Sequence, residues 1–275
     1  EQSPACHFLV VLAPIIKKIF TALQEKRRTL KTVSTIFSSL TLRHVIYQDV
    51  KNYWTSKLLR SCVVELHAVR AAGLLTAETS AARFQQFINF LSMPEHAYEF
   101  LEKYSVLRDQ LRVYEQQSIE TFSTLFSRLE KNWDEINTIY FKQEKNSKKF
   151  MLNNIYRAGD LHAGGQSVTI LVFMLKGEEK TIVYKPRSLA IDLAYYHAIR
   201  WLNHKTDFHF FIPKMIICDA YGFCEFVIHQ SCQSPAEVTT YYKRLGGLTA
   251  LLHTLLGSDI HAENIIAHGS QPVVI

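Results

Sequence analysis

Glycine constrains this chain more than any other residue. Of its ten glycines, one (Gly73) falls in residues 1–150 and nine fall in residues 151–275. A long stretch with a single Gly has few places to turn sharply, which suits long helices. The glycine-rich remainder can make tight turns and close backbone approaches. Charge changes at the same point. Residues 1–150 hold 21 Lys/Arg against 15 Asp/Glu, and residues 151–275 hold 10 of each. Two regions are expected: a helical one over 1–150, fit to bind a peptide or cap a lobe, and a mixed α+β one over 151–275.

The helical expectation rests on periodicity. Apolar residues recur every three or four positions in "YWTSKLLRSCVVELHAV" and "FQQFINFL", and residues 95–145 continue that pattern. The polar, basic run "KQEKNSKK" (142–149) reads as a linker or exposed helix end. The early apolar run "FLVVLAPII" is judged too short to span a bilayer, is interrupted by Pro14, and lacks the flanks of a secretory signal. The formal charge of +6 reads as a solvated face, so no nucleic-acid partner and no membrane span are expected. Five cysteines with no C-x-x-C spacing point to reduced thiols in the cytoplasm. There is no initiator Met, so a segment of a longer protein is expected.

In the second region "SVTILVFML" (167–175), the turn "KGEE" and "KTIVYKPR" (180–187) spell a β-hairpin ended by Pro186. "SLAIDLAYYHAIRWLN" has helical spacing, with Leu189, Leu193 and Tyr196 on one side. "KMIICD" and "FCEFVIH" read as strands around "AYG". "SPAE" opens a further helix, with Ser234 as cap, Pro235 in the first turn and Glu237 completing a capping box. Val238, Tyr241, Leu245, Leu248, Leu252 and Leu255 form its expected buried stripe, and Gly257 its terminator. After it come a polar loop, a strand, a turn at "HGS" and a last strand.

That loop, "GSDIHAEN", holds Asp259, His261 and Asn264. The Asp and Asn spacing is that of the protein-kinase catalytic loop, D-x-x-x-x-N, and the D-x-H-x-x-N form is closer still to lipid-kinase-like loops. A carboxylate there can accept a substrate hydroxyl proton, and an amide oxygen can reach Mg2+ held on nucleotide phosphates. The following strands could turn back to deliver a second metal-binding Asp, expected just beyond "PVVI". Upstream, Lys185 ends a strand where burial is costly unless its charge is compensated, as by phosphates. Arg187 shares its face by alternation if the strand continues past Pro186, and Asp192 is available to pair with the Lys. "AGDLHAGGQSV" (158–168) adds Asp160 and His162, with Gly164 and Gly165 able to bring backbone N–H groups to phosphate oxygens. Each motif alone has a plainer reading as turn chemistry or a strand-edge Lys; their order gives the kinase-like one. A two-metal phosphoesterase built on "GDLH" and Asp259-x-His261 lacks that family's further motifs.

With these residues in view, the second region resembles the dehydratase domain of class II lanthipeptide synthetases. The resemblance rests on "GDLHAGGQSV", "VYKPRSL", "YGFCEFV", "YYKRLGGLTALLHTLLGSDIHAEN" and "IIAHGSQPVVI", in that order. It implies a kinase-like fold related to lipid kinases, preceded by a mostly helical region. It implies ATP and Mg2+ as cofactors, and a precursor peptide with a leader and a Ser/Thr-rich core as partner. The implied reaction is phosphorylation of Ser and Thr followed by phosphate elimination, with a C-terminal zinc cyclase domain in the parent chain. By the same resemblance Lys185 binds phosphate, Asp259 is the catalytic Asp with His261 beside it, Asn264 is the metal ligand, and Asp160 and His162 serve near the phosphates. Arg187 is a candidate for the departing phosphate. Two alternatives stay open: a plain phosphotransferase, and a non-catalytic peptide-binding segment.

Overall fold

The computed structural model describes residues 4–141, 150–159 and 161–275. The run "KQEKNSKK" and Asp160 lie outside the described residues. A 3-10 segment over Pro4–Leu12 leads into α1 (Ala13–Arg28), α2 (Lys31–Ile36), α3 (Ser39–Ala71), α4 (Ser80–Ser92), α5 (Pro94–Lys103) and α6 (Ser105–Ile136). Strands β1 (Phe150–Ala158), β2 (Val168–Leu175) and β3 (Glu178–Lys185) follow, then α7 (Ala190–Lys205), β4 (Met215–Ile217), β5 (Gly222–Glu225), α8 (Pro235–Thr254), β6 (Ile265–His268) and β7 (Gln271–Val274). The strands form a five-stranded sheet in the order β1-β2-β3-β5-β4 and the two-stranded pair β6-β7. This is the element order of a kinase-like fold preceded by a helical region.

The chain divides into two compact units. One takes in the described residues up to Trp133 with those of 147–167 and 172–179; the other takes in those of 134–146, 168–171 and 180–275.

In the first unit α3 is the central element. Leu42, Ile46, Val50, Trp54, Leu58 and Cys62 are all buried at four-residue spacing. A helix turns 3.6 residues per turn, so such a ladder drifts about 40° per step around its axis. Different partners therefore cover it along its length: the Pro4–Leu12 segment, α1, α4 and β1. Ser38 caps α3 by accepting from Thr41 N at 3.0 Å, and Thr79 caps α4 by accepting from Ala82 N at 3.2 Å. Glu130 of α6 accepts from Thr32 N and Val33 N, each at 2.9 Å, and so satisfies the open N-terminus of α2. Arg157 of β1 is nearly buried and is held by Asp49 of α3 through two hydrogen bonds, while Tyr114 of α6 donates to the same carboxylate at 2.6 Å.

One expectation about this unit is corrected. The helical run over Ala5–Arg28 is long and apolar enough, by length and composition, to cross a membrane. The apolar run is extended because helix continues through Pro14, which sits in the first turn of α1 where its missing N–H is harmless. Phe8, Leu9, Val11, Leu12, Ile15, Ile19 and Leu23 of this run are core residues of the unit.

The hairpin turn falls on Lys176 and Gly177, at φ 50° and 88°. Both central residues are left-handed, as the two-residue turn that matches strand twist requires. Strand β1 was not expected from the sequence, and of "FCEFVIH" only the first residues are strand. In the second unit β5 pairs antiparallel with both β3 and β4, and Lys185 stands opposite Gly222. Tyr196, Ile199, Phe210 and Leu248 form the buried cluster that joins α7 to α8.

The ends of α8 behave unequally. Ser234 accepts from Glu237 N at 3.3 Å as expected, but the Glu237 carboxylate reaches back to Gln233 N (2.6 Å) rather than to Ser234. Of the expected stripe only Leu248 is buried; Tyr241, Leu245 and Leu252 are half-buried, and Val238 and Leu255 are exposed. Among the described residues the packing of α8 centres on the Leu248 cluster and β7, so its ends are uncovered. At the C-terminus Gly257 N bonds to Leu252 O (2.8 Å) and Leu256 N to His253 O (3.2 Å), the paired bonds of a Schellman cap. The left-handed residue is Leu256, at φ 54°, not the glycine after it. Leu256 is 87% exposed, so its side chain offsets little of that strain. Leu256→Gly is expected to stabilise the chain by about 1 kcal/mol, read as a higher midpoint in urea unfolding.

Candidate functional site

Lys185 closes β3 with 9% of its surface exposed. A buried ammonium needs a counter-charge, and Asp192, in the first turn of α7, supplies it: Lys185 Nζ donates to Asp192 Oδ1 at 2.9 Å. Arg187 Nη1 donates to Oδ2 of the same carboxylate at 2.6 Å. Burial raises the Asp192 pKa, but the Arg187 hydrogen bond and the Lys185 charge outweigh it, and the carboxyl is held below its ordinary value. The strand ends at Lys185, so Arg187 does not reach this cluster by strand alternation. It arrives from the turn after Pro186, with its side chain 55% exposed. Opposite Lys185, Gly222 is required by close approach: a Cβ there would stand 2.2 Å from Leu189 Cδ1 and 2.7 Å from Ile216 O. Leu189 is the residue from which α7 starts.

The loop after α8 is built by its own polar groups. Asp259 adopts φ 59°, a left-handed conformation that Asp tolerates better than most residues. Asn264 Nδ2 donates to Asp259 O at 2.7 Å. A carbonyl acceptor requires the nitrogen end of the amide, so Oδ1 is turned away from that contact. His261 Nδ1 accepts from Glu263 N at 3.3 Å and caps the short turn Ala262–Asn264. The side chains of Asp259 and His261 are exposed. Strands β6 and β7, joined by a turn at Gly269 (φ 58°), hold this loop at its far end, where Ile275 N donates to Asn264 O at 3.0 Å.

Two residues that sequence reasoning missed as site elements fix this hairpin. Arg244 of α8 donates to Phe208 O (2.6 Å), Ser270 O (3.0 Å) and Ser270 Oγ (2.7 Å). Tyr196 of α7 donates its hydroxyl to Val274 O at 2.8 Å, and burial pushes that hydroxyl's pKa up, so it stays a donor. The available signal was that Tyr196 lies one helical turn after Asp192, on the same face.

A cleft of about 500 Å3 lies in this unit, with Arg187, Asp192, Tyr196, Leu256, Ser258 and Ile260 among its lining. It brings the cation cluster and the residues on either side of Asp259 to one cavity; Lys185 and Asp259 do not themselves line it. A larger cleft of about 720 Å3, in the first unit by Leu9, Phe20 and Arg43, holds none of the site residues.

His162, Gly164 and Gly165 belong to the first unit. His162 N donates to Gln166 O (2.8 Å), and Gly165 N donates to His162 O (3.0 Å), so the Gly165 amide is engaged within its own turn. A Cβ on Gly165 would meet Gln117 at 2.8 Å, whereas Gly164 has open space around its α-carbon. The His162 side chain is exposed.

Asp192→Asn keeps the shape but removes the counter-charge from a buried ammonium. It is expected to cost about 2–3 kcal/mol near neutral pH, measured by urea unfolding. A carboxyl whose folded pKa is lowered stabilises above its ordinary value of about 4 and loses that contribution as pH falls through the folded pKa. The difference in stability between wild type and variant should therefore shrink as pH falls below about 4 and through the folded pKa.

The chain is 24% identical over 226 residues to the "Lacticin 481/lactococcin biosynthesis protein LcnDR2" of Lactococcus lactis subsp. lactis. The aligned region covers 78% of this chain and 24% of that protein, so the chain spans about a quarter of the relative's length. The family described as "Domain of unknown function (DUF4135)" matches residues 104–275, more than half of the chain and the whole of the cation cluster and polar loop, and the chain belongs to that family.

Proposed function

We propose that this chain carries the kinase-like part of an enzyme that dehydrates Ser and Thr in a lanthipeptide precursor, first phosphorylating the hydroxyl and then eliminating phosphate. The observation that carries this reading is the Lys185–Asp192–Arg187 cluster, whose Arg187 and Asp192 line a cleft together with the residues flanking Asp259. Membership of the DUF4135 family and likeness to a protein of lacticin biosynthesis support it.

The residues present suit Mg–ATP. Lys185 and Arg187 are two cations held by one carboxylate, and the Arg187 side chain is half exposed and lines the cleft. Among the described residues no group of three or more His, Cys, Asp or Glu is placed to hold a metal. Mg2+ often keeps several waters and takes few protein ligands beside substrate phosphates, and Asn264 Oδ1 is assigned as one of those ligands in this reading. When bound, the nucleotide supplies the phosphoryl group and the metal neutralises its charge. Asp259 accepts the proton of the attacking Ser or Thr hydroxyl on its exposed carboxylate, His261 shapes the loop beside it, and Arg187 stabilises departing phosphate. Asp160 and His162 are assigned to the same activity. Elimination transfers the Cα proton to a base as the Cβ–O bond breaks, leaving an alkene and inorganic phosphate.

The partner is then a precursor peptide with a leader and a Ser/Thr-rich core, and a cyclase domain is expected in the parent chain. ATP use and five cysteines outside any disulfide fit a cytoplasmic setting.

The parent protein, given precursor peptide, ATP and Mg2+, should yield product that has lost one water per modified residue by mass spectrometry. Asp259→Asn should slow phosphorylation about 100- to 10,000-fold. Phosphopeptide that never loses phosphate would make the protein a plain kinase. Peptide bound but never modified would make the segment a binding module.

A further inference from the structure

The two halves of the candidate site are joined by a short path of hydrogen bonds through α7 and β7. Asp192 grips Lys185 at 2.9 Å. One turn later on the same helix face, Tyr196 donates to Val274 O at 2.8 Å. The next residue, Ile275, donates its N–H to Asn264 O at 3.0 Å. Asn264 in turn holds Asp259 O at 2.7 Å. Tyr196 is 6% exposed and packs with Ile199, Phe210 and Leu248, which hold its ring beside the end of β7. Val274 packs against the same cluster.

We infer that Tyr196 is a positioning residue: its hydroxyl couples α7, whose Asp192 holds the phosphate-binding Lys185 and Arg187, to the metal-binding amide of Asn264. This rests on the assignment of Asn264 as metal ligand made above. The hydroxyl touches no reacting atom. It fixes the carbonyl of Val274, hence the end of β7, hence the backbone of Asn264, at a set distance from the helix that carries Asp192. Phe at 196 keeps the ring and its packing and removes that one bond. The end of β7 is then free to move against α7, and Asn264 Oδ1 loses its fixed relation to phosphates held by Lys185 and Arg187.

The test is Tyr196→Phe in the full-length protein, with two readouts. The first is hydrogen exchange of the Ile275 and Asn264 amides, which needs no ligand; exchange about tenfold faster there, with β3 and β5 amides unchanged, is expected. The second is nucleotide binding titrated with and without Mg2+. Affinity for ATP in EDTA should match the wild type, while the Mg2+ concentration at half-saturation rises about tenfold. Unchanged exchange at Ile275 and Asn264 would overturn the coupling. So would faster exchange across the whole unit, or equal weakening of ATP binding with and without Mg2+, since both mean a merely structural hydroxyl. A wild type that binds ATP with no Mg2+ dependence would instead sink the metal assignment, and the exchange arm would still decide the coupling.

Discussion

A buried ammonium is the constraint from which the second unit follows. Lys185 stands at the end of β3 with little solvent, and its charge must be met within the protein. Asp192 meets it from the first turn of α7. That requires α7 to begin close above the strand, and Leu189 comes within contact of Gly222, directly across the ladder from Lys185. No larger residue fits at 222 without pushing Leu189 or the strand away. The turn between Lys185 and α7 carries Arg187 back over the same carboxylate, so two cations share one anion and a positive charge is left over at the mouth of the cleft. Such an excess suits a polyanionic ligand better than a purely structural pair would.

Helix α7 then acts as a bar with two fastenings. Asp192 fixes its first turn to the β3 end, and Tyr196 fixes its second turn to β7. The aromatic cluster around Phe210 and Leu248 fills the space beneath and adds α8 to the assembly. Arg244 ties α8 to the β6-β7 turn and to the Phe208 backbone, so the hairpin is held from two helices. The polar loop between α8 and β6 is thus bounded on both sides by fixed elements. Its own bonds are short-range, and the side chains of Asp259 and His261 are exposed.

Much of this was legible from residue chemistry, where local rules decide. The helix spacing, the Ser234 cap, the Lys-Gly turn and the hairpin after Asn264 all follow from patterns of one or two turns of chain. Lys185 paired with Asp192 was also legible, because a strand Lys needs a partner and Asp192 is the one acid on the following helix. What the pattern missed depends on tertiary packing. The α8 stripe looks continuous, but burial depends on what lies opposite, and only Leu248 meets a full set of neighbours. Strand β1 alternates too weakly to stand out. Arg187 reached the site by a turn geometry that strand alternation could not supply. Tyr196 reads as core in the sequence because a buried hydroxyl and a buried ring give the same apolar spacing; its carbonyl partner is 78 residues away.

The loop from 256 to 264 holds two left-handed residues that are not glycine, Leu256 and Asp259, although Gly257 lies between them. Each is strained by about 1 kcal/mol or more, and such strain persists only where surrounding bonds over-determine the backbone. At Leu256 the Schellman bonds do so. At Asp259 the Asn264 amide does so by donating to its carbonyl. This explains why the residue at 264 is an amide rather than an acid. A carboxylate would offer an oxygen to a metal but could not donate to the Asp259 carbonyl, and would repel that backbone oxygen instead. An amide has both ends: nitrogen to hold the loop, oxygen to face a cation. One side chain therefore fixes the Asp259 carbonyl across a spacing of five residues, and its oxygen stays outside that bond.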